Sequence, residues 1–282
     1  MAIQFFDSDN VSVAFLGPKG TFSQTAVLQH FGAKAELLDY PTIDEVFIAV
    51  TTGEVKFGVV PVENSTEGAI NNTQDCLVDT KLRIVGEQIV LIVHNLLVQE
   101  KVKFEDIKTI ASHKQSLAQC RKWIQLNAPG KELLECPSNA EAAKLARADK
   151  HVAAIAGKIA ADTYGLQVLF ESIQDQQHNS TRFLILANAS TLSTGKDKTS
   201  LLVYTENKPG ALFRVLQPFE ELQISLTKIE TRPSKKEAWE YVFFIDFEGH
   251  AEDEKIKTLF AKLKACTAEI KILGSYPSAK AC

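Results

Sequence analysis

The sequence has few of the residue patterns that mark redox, metal-binding or nucleic-acid-binding proteins. Its five cysteines are an odd number and include no CxxC pair, which argues against a disulfide framework and a thioredoxin-like site. Its six histidines form neither an HExxH motif nor the His/Cys spacing of a zinc site. The net charge is −4 and no long lysine or arginine cluster occurs. We therefore predict neither a metal ion nor a nucleic-acid partner.

Long apolar runs are also absent. No run approaches the length of a membrane-spanning helix, and the first residues lack the basic-then-apolar pattern of a secretory signal. The cysteine usage favours a reducing compartment. Together these features predict a cytoplasmic protein with no membrane partner. The 282 residues, of which 45% are apolar, suggest one large or two medium domains with a substantial core.

The first part of the chain alternates predicted strands and helices, which indicates an α/β domain over residues 1–190. Several of its strands end in polar loops. The strand at 11–16 runs into a Gly-rich turn that contains Thr21, and the strand at 57–62 runs into the loop at 63–68. Two such loops in one domain suggest a cleft lined from both sides. The alternative interpretation is that the hydroxyl groups of the second loop simply cap the helix that follows.

A third polar loop, at residues 175–182, leads directly into the apolar run 183–187. Such a loop holds its last side chains at the end of a rigid element, where catalytic groups are usually placed. The residues alone leave a second interpretation open, a solvated surface loop ahead of a core strand. A fourth loop brings Ser112 to the start of a helix, with Gln119 about two turns along it on a nearby face.

A change of composition separates this domain from the C-terminal part of the chain. Residues 188–198 are rich in Ser, Thr, Gly, Lys and Asp, which is typical of a linker. The patterns over residues 199–276 then predict the order βαββαβ of a ferredoxin-like α+β domain. Because the two patterns are self-contained, we expect residues 1–190 to fold on their own.

Five motifs give the chain a specific resemblance. It resembles the prephenate dehydratase family at three of them: Thr181-Arg182-Phe183, Glu63-Asn64-Ser65, and Ser112-His113 with Gln119. It resembles the GALV and ESRP motifs of the attached ACT regulatory domain at two: Gly210-Ala211-Leu212 and Glu230-Thr231-Arg232-Pro233. The departures are Phe213 for Val and Thr231 for Ser. The likeness extends from about residue 11 to residue 273, and no chorismate mutase helices precede it, so we expect the monofunctional form.

This resemblance implies a fold and a reaction. The fold is an α/β bilobal catalytic domain, similar to periplasmic binding proteins, followed by a ferredoxin-like ACT domain. The reaction is the decarboxylating dehydration of prephenate to phenylpyruvate in L-phenylalanine biosynthesis. Aromatisation drives it, so the resemblance implies no metal and no cofactor. The difficult step is the departure of the ring hydroxyl, which a hydrogen-bond or proton donor assists.

The resemblance also implies which residues take part. Thr181 is the donor to the leaving hydroxyl, and its neighbours must polarise it because a threonine hydroxyl is a weak acid. Its predicted catalytic partners are Glu63, Asn64, Ser112 and Gln119. The predicted substrate-binding residues are Ser65, Thr21, Arg182 and His178. Arg182 suits a substrate carboxylate, whereas strand alternation could point it away from Thr181.

Two of these candidates also have a rationale of their own. The turn at Lys19–Thr21 precedes a helix, and the free N–H groups of a helix start favour an anion such as a substrate carboxylate. His178 is the alternative to Thr181 as the acid, because histidine exchanges protons readily near neutral pH. Its place in a polar loop is equally consistent with a solvated residue.

The ACT domain implies regulation by L-phenylalanine, the end product of the pathway, bound between ACT domains in a homodimer or homotetramer. The residues predicted for this effector site are Asn207, Pro209, Gly210, Ala211, Leu212, Glu230, Thr231, Arg232 and Pro233. Gly210 can adopt backbone angles closed to other residues. The helix after it offers free N–H groups to the carboxylate of an amino acid.

Two other functions stay open at this point. A non-catalytic bilobal binder of small molecules has the same α/β pattern, although neither a signal peptide nor a helix-turn-helix is found in the sequence. An arogenate dehydratase performs the same chemistry on the amino analogue of prephenate. The absence of a transit peptide favours prephenate over arogenate.

Overall fold

The strands that carry three of the four polar loops belong to one sheet. The structure, a computed structural model, describes residues 11–206, 208–233 and 241–279. Numbered in chain order, the strands of the first sheet are β1 (Ser12–Leu16), β2 (Glu36–Tyr40), β3 (Phe57–Asn64), β4 (Gly68–Ala69), β5 (Arg83–Leu91) and β11 (Ser180–Ala187). Their order is β2-β1-β3-β11-β5, with β4 paired to the end of β3. The helices of this stretch are α1 (Phe22–Phe31), α2 (Ile43–Thr52) and α3 (Asn71–Asp79).

A second sheet carries the loop with Ser112. Its strands are β6 (Asn95–Val98), β7 (Thr109–His113), β8 (Glu132–Cys136), β9 (Val152–Ala156) and β10 (Gln167–Phe170), in the order β10-β6-β9-β7-β8. The helices are α4 (Lys114–Gln119), α5 (Arg121–Asn127), α6 (Asn139–Ala148) and α7 (Lys158–Tyr164), with a 3-10 turn at Phe104–Asp106. Small side chains let α6 pack closely on this sheet, because Ala142, Ala143 and Ala146 share a core cluster with Ala111 and Ala154.

The C-terminal part of the chain forms a four-stranded antiparallel sheet with two helices. The strands are β12 (Asp197–Tyr204), β13 (Leu226–Pro233), β14 (Tyr241–Glu248) and β15 (Glu269–Pro277), and the helices are α8 (Ala211–Glu221) and α9 (Glu254–Cys266). The strand order is β13-β14-β12-β15, and each pairing is antiparallel. Phe219, Phe247 and Phe260 stack edge to face in the core between helices and sheet. The predicted fold class, two α/β lobes followed by a ferredoxin-like α+β unit, is confirmed.

Local sequence signals account for individual helix ends. The Thr42 hydroxyl accepts the Glu45 N–H at 3.2 Å, and the Glu45 carboxylate accepts the Thr42 N–H at 3.1 Å, so a capping box begins α2. The same helix ends at Gly53, whose φ of 78° lies in the left-handed region that glycine tolerates.

The main differences from the sequence expectations concern sheet edges and the linker. Neither β2 nor β8 is apparent from the sequence, because both are edge strands with charged residues and little buried apolar surface. The linker expected at 188–198 is shorter, since β12 already begins at Asp197. The Asp197 carboxylate accepts the N–H groups of Thr194 and Gly195 at 2.8 and 3.0 Å, which orders the turn before the strand.

The spatial contacts between residues divide the chain into two compact units. Within the described ranges the first unit comprises residues 11–73 and 88–183, and the second comprises 74–87 and 184–279. The segment 74–87 therefore groups with the C-terminal sheet, although the sequence places it inside the predicted catalytic domain. Independent folding of residues 1–190 stays a prediction. Throughout the described part of the chain, no helix is both long and apolar enough to cross a membrane.

Candidate active site

A cavity of about 420 Å³ lies within the first unit, lined by residues that follow strands of the first and the second sheets. Phe22, Ile92 and Phe183 give it apolar walls. The polar residues that line it include Thr21, Asn64, His94, Gln119, Asn139, Asn179 and Thr181. A few polar groups converging in an otherwise apolar cavity are typical of a small-molecule site.

Strand alternation decides which side chains of the Thr181 segment reach this cavity. Successive side chains of a strand point to opposite faces, and Thr181 and Phe183 of β11 both line the cavity. Thr181 is only 8% exposed, so its hydroxyl is largely shielded from water. The end of β3 lies beside it, because the Ser65 N–H donates to the Ser180 carbonyl at 2.9 Å.

The amide of Asn64 has a fixed direction. Its Oδ1 accepts two backbone N–H groups, those of Thr66 and Glu67, each at 3.0 Å. A backbone N–H can only donate, so the oxygen must face the loop and Nδ2 must face the other way. Nδ2 then donates to Thr181 Oγ1 at 2.9 Å and to Asn179 Oδ1 at 2.8 Å.

The direction set at Asn64 propagates through the network. Since Asn179 Oδ1 is an acceptor, Asn179 Nδ2 is the donor to Gln119 Oε1, at 3.1 Å. Gln119 Oε1 also lies 2.9 Å from His94 Nε2, which must therefore carry a hydrogen. Asn64, Asn179 and Gln119 thus form one chain of neutral hydrogen bonds that ends on Thr181 at one side and on His94 at the other.

Ser112 supports the cavity from behind its surface. It is fully buried, its Oγ donates to the Ile155 carbonyl at 2.6 Å, and the same Oγ lies 3.0 Å from Asn139 Oδ1. That oxygen also accepts the Ser116 hydroxyl at 2.9 Å and the His113 N–H at 3.2 Å. Ser112 therefore acts on the cavity through Asn139, which lines it.

The hydrogen-bonded network consists of neutral groups, and the exposed Glu67 is the one acidic residue among the described residues that line the cavity. Burial lowers the pKa of His94 below its usual range more than the Gln119 hydrogen bond raises it, and burial also lowers the pKa of His113. Preorganised donors of this kind stabilise an oxygen that gains negative charge as it leaves. In the ranges 11–206, 208–233 and 241–279 no group of three or more His, Cys, Asp or Glu side chains could hold a metal ion.

The chain that forms this cavity matches two known family models. The model of the prephenate dehydratase family matches residues 13–191, more than half of the chain. The chain belongs to the prephenate dehydratase family. The ACT domain model matches residues 199–265. Both the family and the enzyme class predicted from the sequence, a carbon–oxygen lyase with an ACT regulatory domain, are confirmed.

Individual relatives agree with this assignment. The bifunctional chorismate mutase/prephenate dehydratase of Pseudomonas aeruginosa is 50% identical over 269 residues, covering 95% of this chain and 74% of the relative. The prephenate dehydratase of Methanocaldococcus jannaschii is 38% identical over 277 residues, covering 95% and 98%. The crystal structure of the Arthrobacter aurescens prephenate dehydratase in complex with L-Phe superposes with a TM-score of 0.87 at 34% identity, covering 95% of this chain and 90% of that one.

In this member of the family the predicted anion-binding turn reaches the cavity only in part. Thr21 lines the cavity and precedes α1 without capping it. Lys19 is exposed and is not one of the described cavity-lining residues. The Gly20 N–H donates to Gln24 Oε1 at 2.6 Å, so it is already engaged within the turn. Of the turn Lys19–Thr21, Gly20 and Thr21 line the cavity, and contact of Thr21 with a substrate stays a prediction.

Three side chains predicted to act at the substrate are not among the described residues that line the cavity: Glu63, Arg182 and His178. Each of the first two is next to a cavity residue in its strand, so alternation turns it to the opposite face. There Arg182 Nη1 lies 4.0 Å from Glu63 Oε2. His178 is exposed to solvent. These three residues therefore do not line the cavity, and their roles at the substrate stay predictions.

Ser65 is not among the described residues that line the cavity, but it contacts Asn179, which lines it. Its Oγ accepts the Ser180 N–H at 2.9 Å and lies 3.4 Å from Asn179 Oδ1. Both contacts hold the start of β11 and the Asn179 side chain in place. The structure thus gives Ser65 a positioning place next to the network, whereas the sequence suggested direct contact with substrate.

The regulatory motifs lie in the second unit, and their side chains divide into two sets. Gly210 has φ 77° and precedes α8, while Pro209, Leu212, Thr231 and Pro233 are exposed and Ala211 is half-buried. Asn207 lies outside the described residues. Glu230 and Arg232 point to the segment 74–87: Gln74 Nε2 donates to Glu230 Oε2 at 2.8 Å, and Arg232 Nη2 donates to Asp75 Oδ1 at 2.8 Å. In this structure these two side chains bind their own chain, and their place beside phenylalanine stays a prediction.

Several polar residues that line the cavity are not predicted from the sequence. His94, Asn139 and Asn179 all line the cavity. Asn179 lies in the polar loop before β11 and is separated from Thr181 by one residue, so the alternation of that strand was an available signal. His94 directly precedes a strand and Asn139 begins a helix, and nothing in their local sequence distinguishes them from structural residues.

Proposed function

We propose that this chain converts prephenate to phenylpyruvate, carbon dioxide and water in the 420 Å³ cavity, with Thr181 as the donor to the leaving hydroxyl. The observation that carries the proposal is the hydrogen bond from Asn64 Nδ2 to Thr181 Oγ1, 2.9 Å long. Asn64 is fixed as the donor, so it fills an acceptor position on the Thr181 oxygen. The Thr181 hydrogen then points elsewhere, and among the described residues no hydrogen bond donated by the Thr181 hydroxyl is found. A ligand in the cavity is its partner.

The chemistry asks for one well-placed donor. The bond between the ring and its carboxylate breaks, its electron pair enters the ring, and carbon dioxide leaves. The ring hydroxyl departs with the electron pair of its carbon–oxygen bond and becomes water after taking up a proton from solvent. Thr181 stabilises the charge that grows on that oxygen, within a cavity whose apolar walls strengthen the interaction.

The other residues orient this donor or the substrate. Asn64 polarises Thr181, and Asn179 and Ser65 fix the loop from which β11 begins. Gln119 Oε1 already accepts two donors, so the Gln119 amide N–H₂ is left for the substrate. Thr21 is the counterpart of a substrate carboxylate, and Ser112 holds Asn139. Glu63 and Arg182 stabilise the opposite face of the two strands, and His178 remains in solvent.

Regulation belongs to the ACT domain. We propose that L-phenylalanine, which the Arthrobacter aurescens relative binds, also binds this chain at the turn of Pro209 and Gly210. The first turn of the 11-residue helix α8 offers N–H groups to its carboxylate, and the exposed Leu212 offers apolar contact. The exposed Ile229 on edge strand β13 suits pairing of ACT sheets in a homodimer or homotetramer. The proposed location is the cytoplasm.

The test compares two matched variants of Thr181 on two substrates. Thr181→Val keeps the volume and removes the donor, so we expect turnover of prephenate to fall about 10²-fold or more, while Thr181→Ser retains part of it. Formation of the aromatic product is followed with prephenate and, separately, with arogenate. Wild-type turnover in Thr181→Val would overturn the role of Thr181. Faster conversion of arogenate would replace the substrate, and conversion of neither would favour a non-catalytic binder.

A further inference from the structure

The structure assigns a positioning role to His94: its neutral imidazole, with the hydrogen on Nε2, holds Gln119 so that the Gln119 amide N–H₂ group faces the substrate. This inference rests on the proposed function, because it concerns the same cavity and the same reaction. It adds a residue that none of the recognised motifs contains.

The first step is the position of the ring. His94 is 1% exposed and lines the cavity beside Gln119. Its backbone N–H donates to Gln174 Oε1 at 3.0 Å, and its carbonyl accepts the Ile173 N–H at 2.8 Å. The ring packs edge-on against Phe22, with centroids 5.6 Å apart. Backbone and ring are both held, so Nε2 is a fixed point from which Gln119 can be oriented.

The second step is the location of the hydrogen. The direction that begins at the Thr66 and Glu67 N–H groups makes Gln119 Oε1 an acceptor, so His94 Nε2 is the donor at 2.9 Å. His94 Nδ1 is buried and has no hydrogen-bond partner within the described ranges. A second hydrogen on Nδ1 would be buried without an acceptor, which keeps the ring neutral.

The third step asks why a histidine stands here at all. Leaving Nδ1 buried and unsatisfied is unfavourable, and a leucine or phenylalanine would fill the same space without that cost. What an apolar residue cannot supply is the hydrogen on Nε2. With both lone pairs of Gln119 Oε1 occupied, by Asn179 and by His94, rotation of the amide would bring its N–H₂ group against two donors. The flipped amide could donate to Nε2 only if the hydrogen moved to Nδ1, where it would be buried without an acceptor, so His94 disfavours the flip.

The experiment uses a matched pair of substitutions in the full-length chain. His94→Gln places an amide nitrogen near the position of Nε2 and keeps the donor, whereas His94→Asn reaches only to the position of Nδ1. We expect His94→Asn to lower kcat about tenfold with a smaller change in KM, and His94→Gln to stay within about threefold of wild type. Equal kcat in both variants, or a loss in His94→Gln alone, would overturn the assignment.

A double-mutant cycle tests whether His94 acts through Gln119. In the Gln119→Ala background, His94→Asn should lower kcat no further, because the group that it positions is gone. A full tenfold loss in that background would overturn the role. Thr181→Val, measured alongside, tests the proposed function separately. If Thr181→Val kept wild-type turnover, the proposed role of Thr181 would fail, but the double-mutant cycle would still test whether His94 acts through Gln119.

A spectroscopic measurement makes the test independent of variant folding. In wild-type protein labelled with ¹⁵N-histidine, the two ring nitrogens of His94 should report the neutral form with Nε2 protonated and Nδ1 bare. A hydrogen on Nδ1 in the neutral form, or a ring protonated at both nitrogens at pH 7, would overturn the proposal regardless of how the variants behave.

Discussion

The hydrogen bonds around Thr181 and those around Glu230 differ in kind. The first set joins neutral amides and a hydroxyl that are buried or half-buried, and its direction is fixed by backbone N–H groups. The second set joins charged side chains that keep access to water: Arg232 and Asp75 are 20% and 33% exposed, and Lys228 lies 3.2 Å from a Glu230 that is 27% exposed. In the first set each group has a fixed role as donor or acceptor, whereas the second set consists mainly of ion pairs.

This difference predicts how strongly substitutions in each region affect turnover or stability. A directed network has one arrangement of donors and acceptors, so an isosteric change that reverses a single group disturbs every member. Ion pairs with access to water are screened by salt and tolerate change, because solvent replaces a lost partner. We therefore expect large effects on turnover in the first region and small effects on stability in the second.

The largest effect should follow Asn64→Asp. The change keeps the oxygen that accepts the Thr66 and Glu67 N–H groups but replaces the donor to Thr181 with a second acceptor. Thr181 would then donate to residue 64 instead of the substrate, and we expect kcat to fall about 10²- to 10³-fold. The measurement is steady-state turnover of prephenate, with thermal melting to verify the fold.

Arg182→Lys is the matched control for that variant. It lies between two cavity residues of β11 but faces the opposite side, so kcat should change by less than about threefold. If Asn64→Asp kept near-normal turnover, the donor and acceptor directions in this network would not be needed for catalysis.

The next effect concerns Gly210, on the regulatory side of the comparison. Its φ of 77° is strained for any residue with a side chain, and the new Cβ of a valine would lie 3.2 Å from Arg214 Nη1. We expect Gly210→Val to abolish inhibition by L-phenylalanine while leaving uninhibited turnover within about twofold. Inhibition curves and calorimetric titration with phenylalanine measure this. Unchanged phenylalanine affinity would place the effector elsewhere.

A smaller effect should appear in the pH dependence of stability. Burial lowers the pKa of His94 in the folded chain, so below pH of about 6.5 the unfolded chain binds a proton that the folded one does not. Stability from this group is complete above that pH and is lost as the pH falls below it. Urea unfolding at pH 7.5 and 5.5 should show a greater loss in wild type than in His94→Gln. Equal losses would mean that His94 titrates normally.

The smallest effect should follow Arg232→Gln. Removing this pair with Asp75 should lower the free energy of unfolding by about 1 kcal/mol or less, and 1 M salt should shrink the difference. Asp75→Asn, which alters the same pair from the other side, and the double variant complete a cycle that isolates the pair. A difference of several kcal/mol that persists in salt would show that this region is as directed as the catalytic one.

The sequence predicted the site better where a short motif on one strand carries the chemistry. Thr181, Asn64 and Gln119 are predicted from their motifs, and all three line the cavity. The neighbouring ends of β3 and β11 place Asn64 and Thr181 there, and the C-terminal end of helix α4 places Gln119 there. Their roles stay predictions until the variants are measured. His94 and Asn139 are not predicted, since they come to line the cavity only when the second sheet lies beside the first. Arg182 does not line the cavity, in agreement with the strand alternation that the sequence already suggests, whereas the motif by itself does not state which face of the strand each residue takes.

The sheets show the same division. Buried strands such as β3 and β9 can be predicted from their apolar runs. The edge strands β2 and β8 are stabilised by pairing with a neighbouring strand rather than by their own composition. The regulatory strand β13 is a third case. Its alternation of half-buried and exposed residues is visible only in the structure, and it separates Glu230 and Arg232 from Thr231 and Pro233.

Helix α3 has a consequence for anyone who exchanges regulatory domains within this family. From Gln74 onward its residues belong to the second unit, where Lys271 Nζ donates to the carbonyls of Val78 and Thr80 at 2.7 and 2.6 Å and Lys198 pairs with Glu87 at 2.8 Å. A graft that carries only the C-terminal residues would bring foreign side chains to this segment. A working chimera needs two inserts, residues 74–87 and the ACT domain, taken from the same parent.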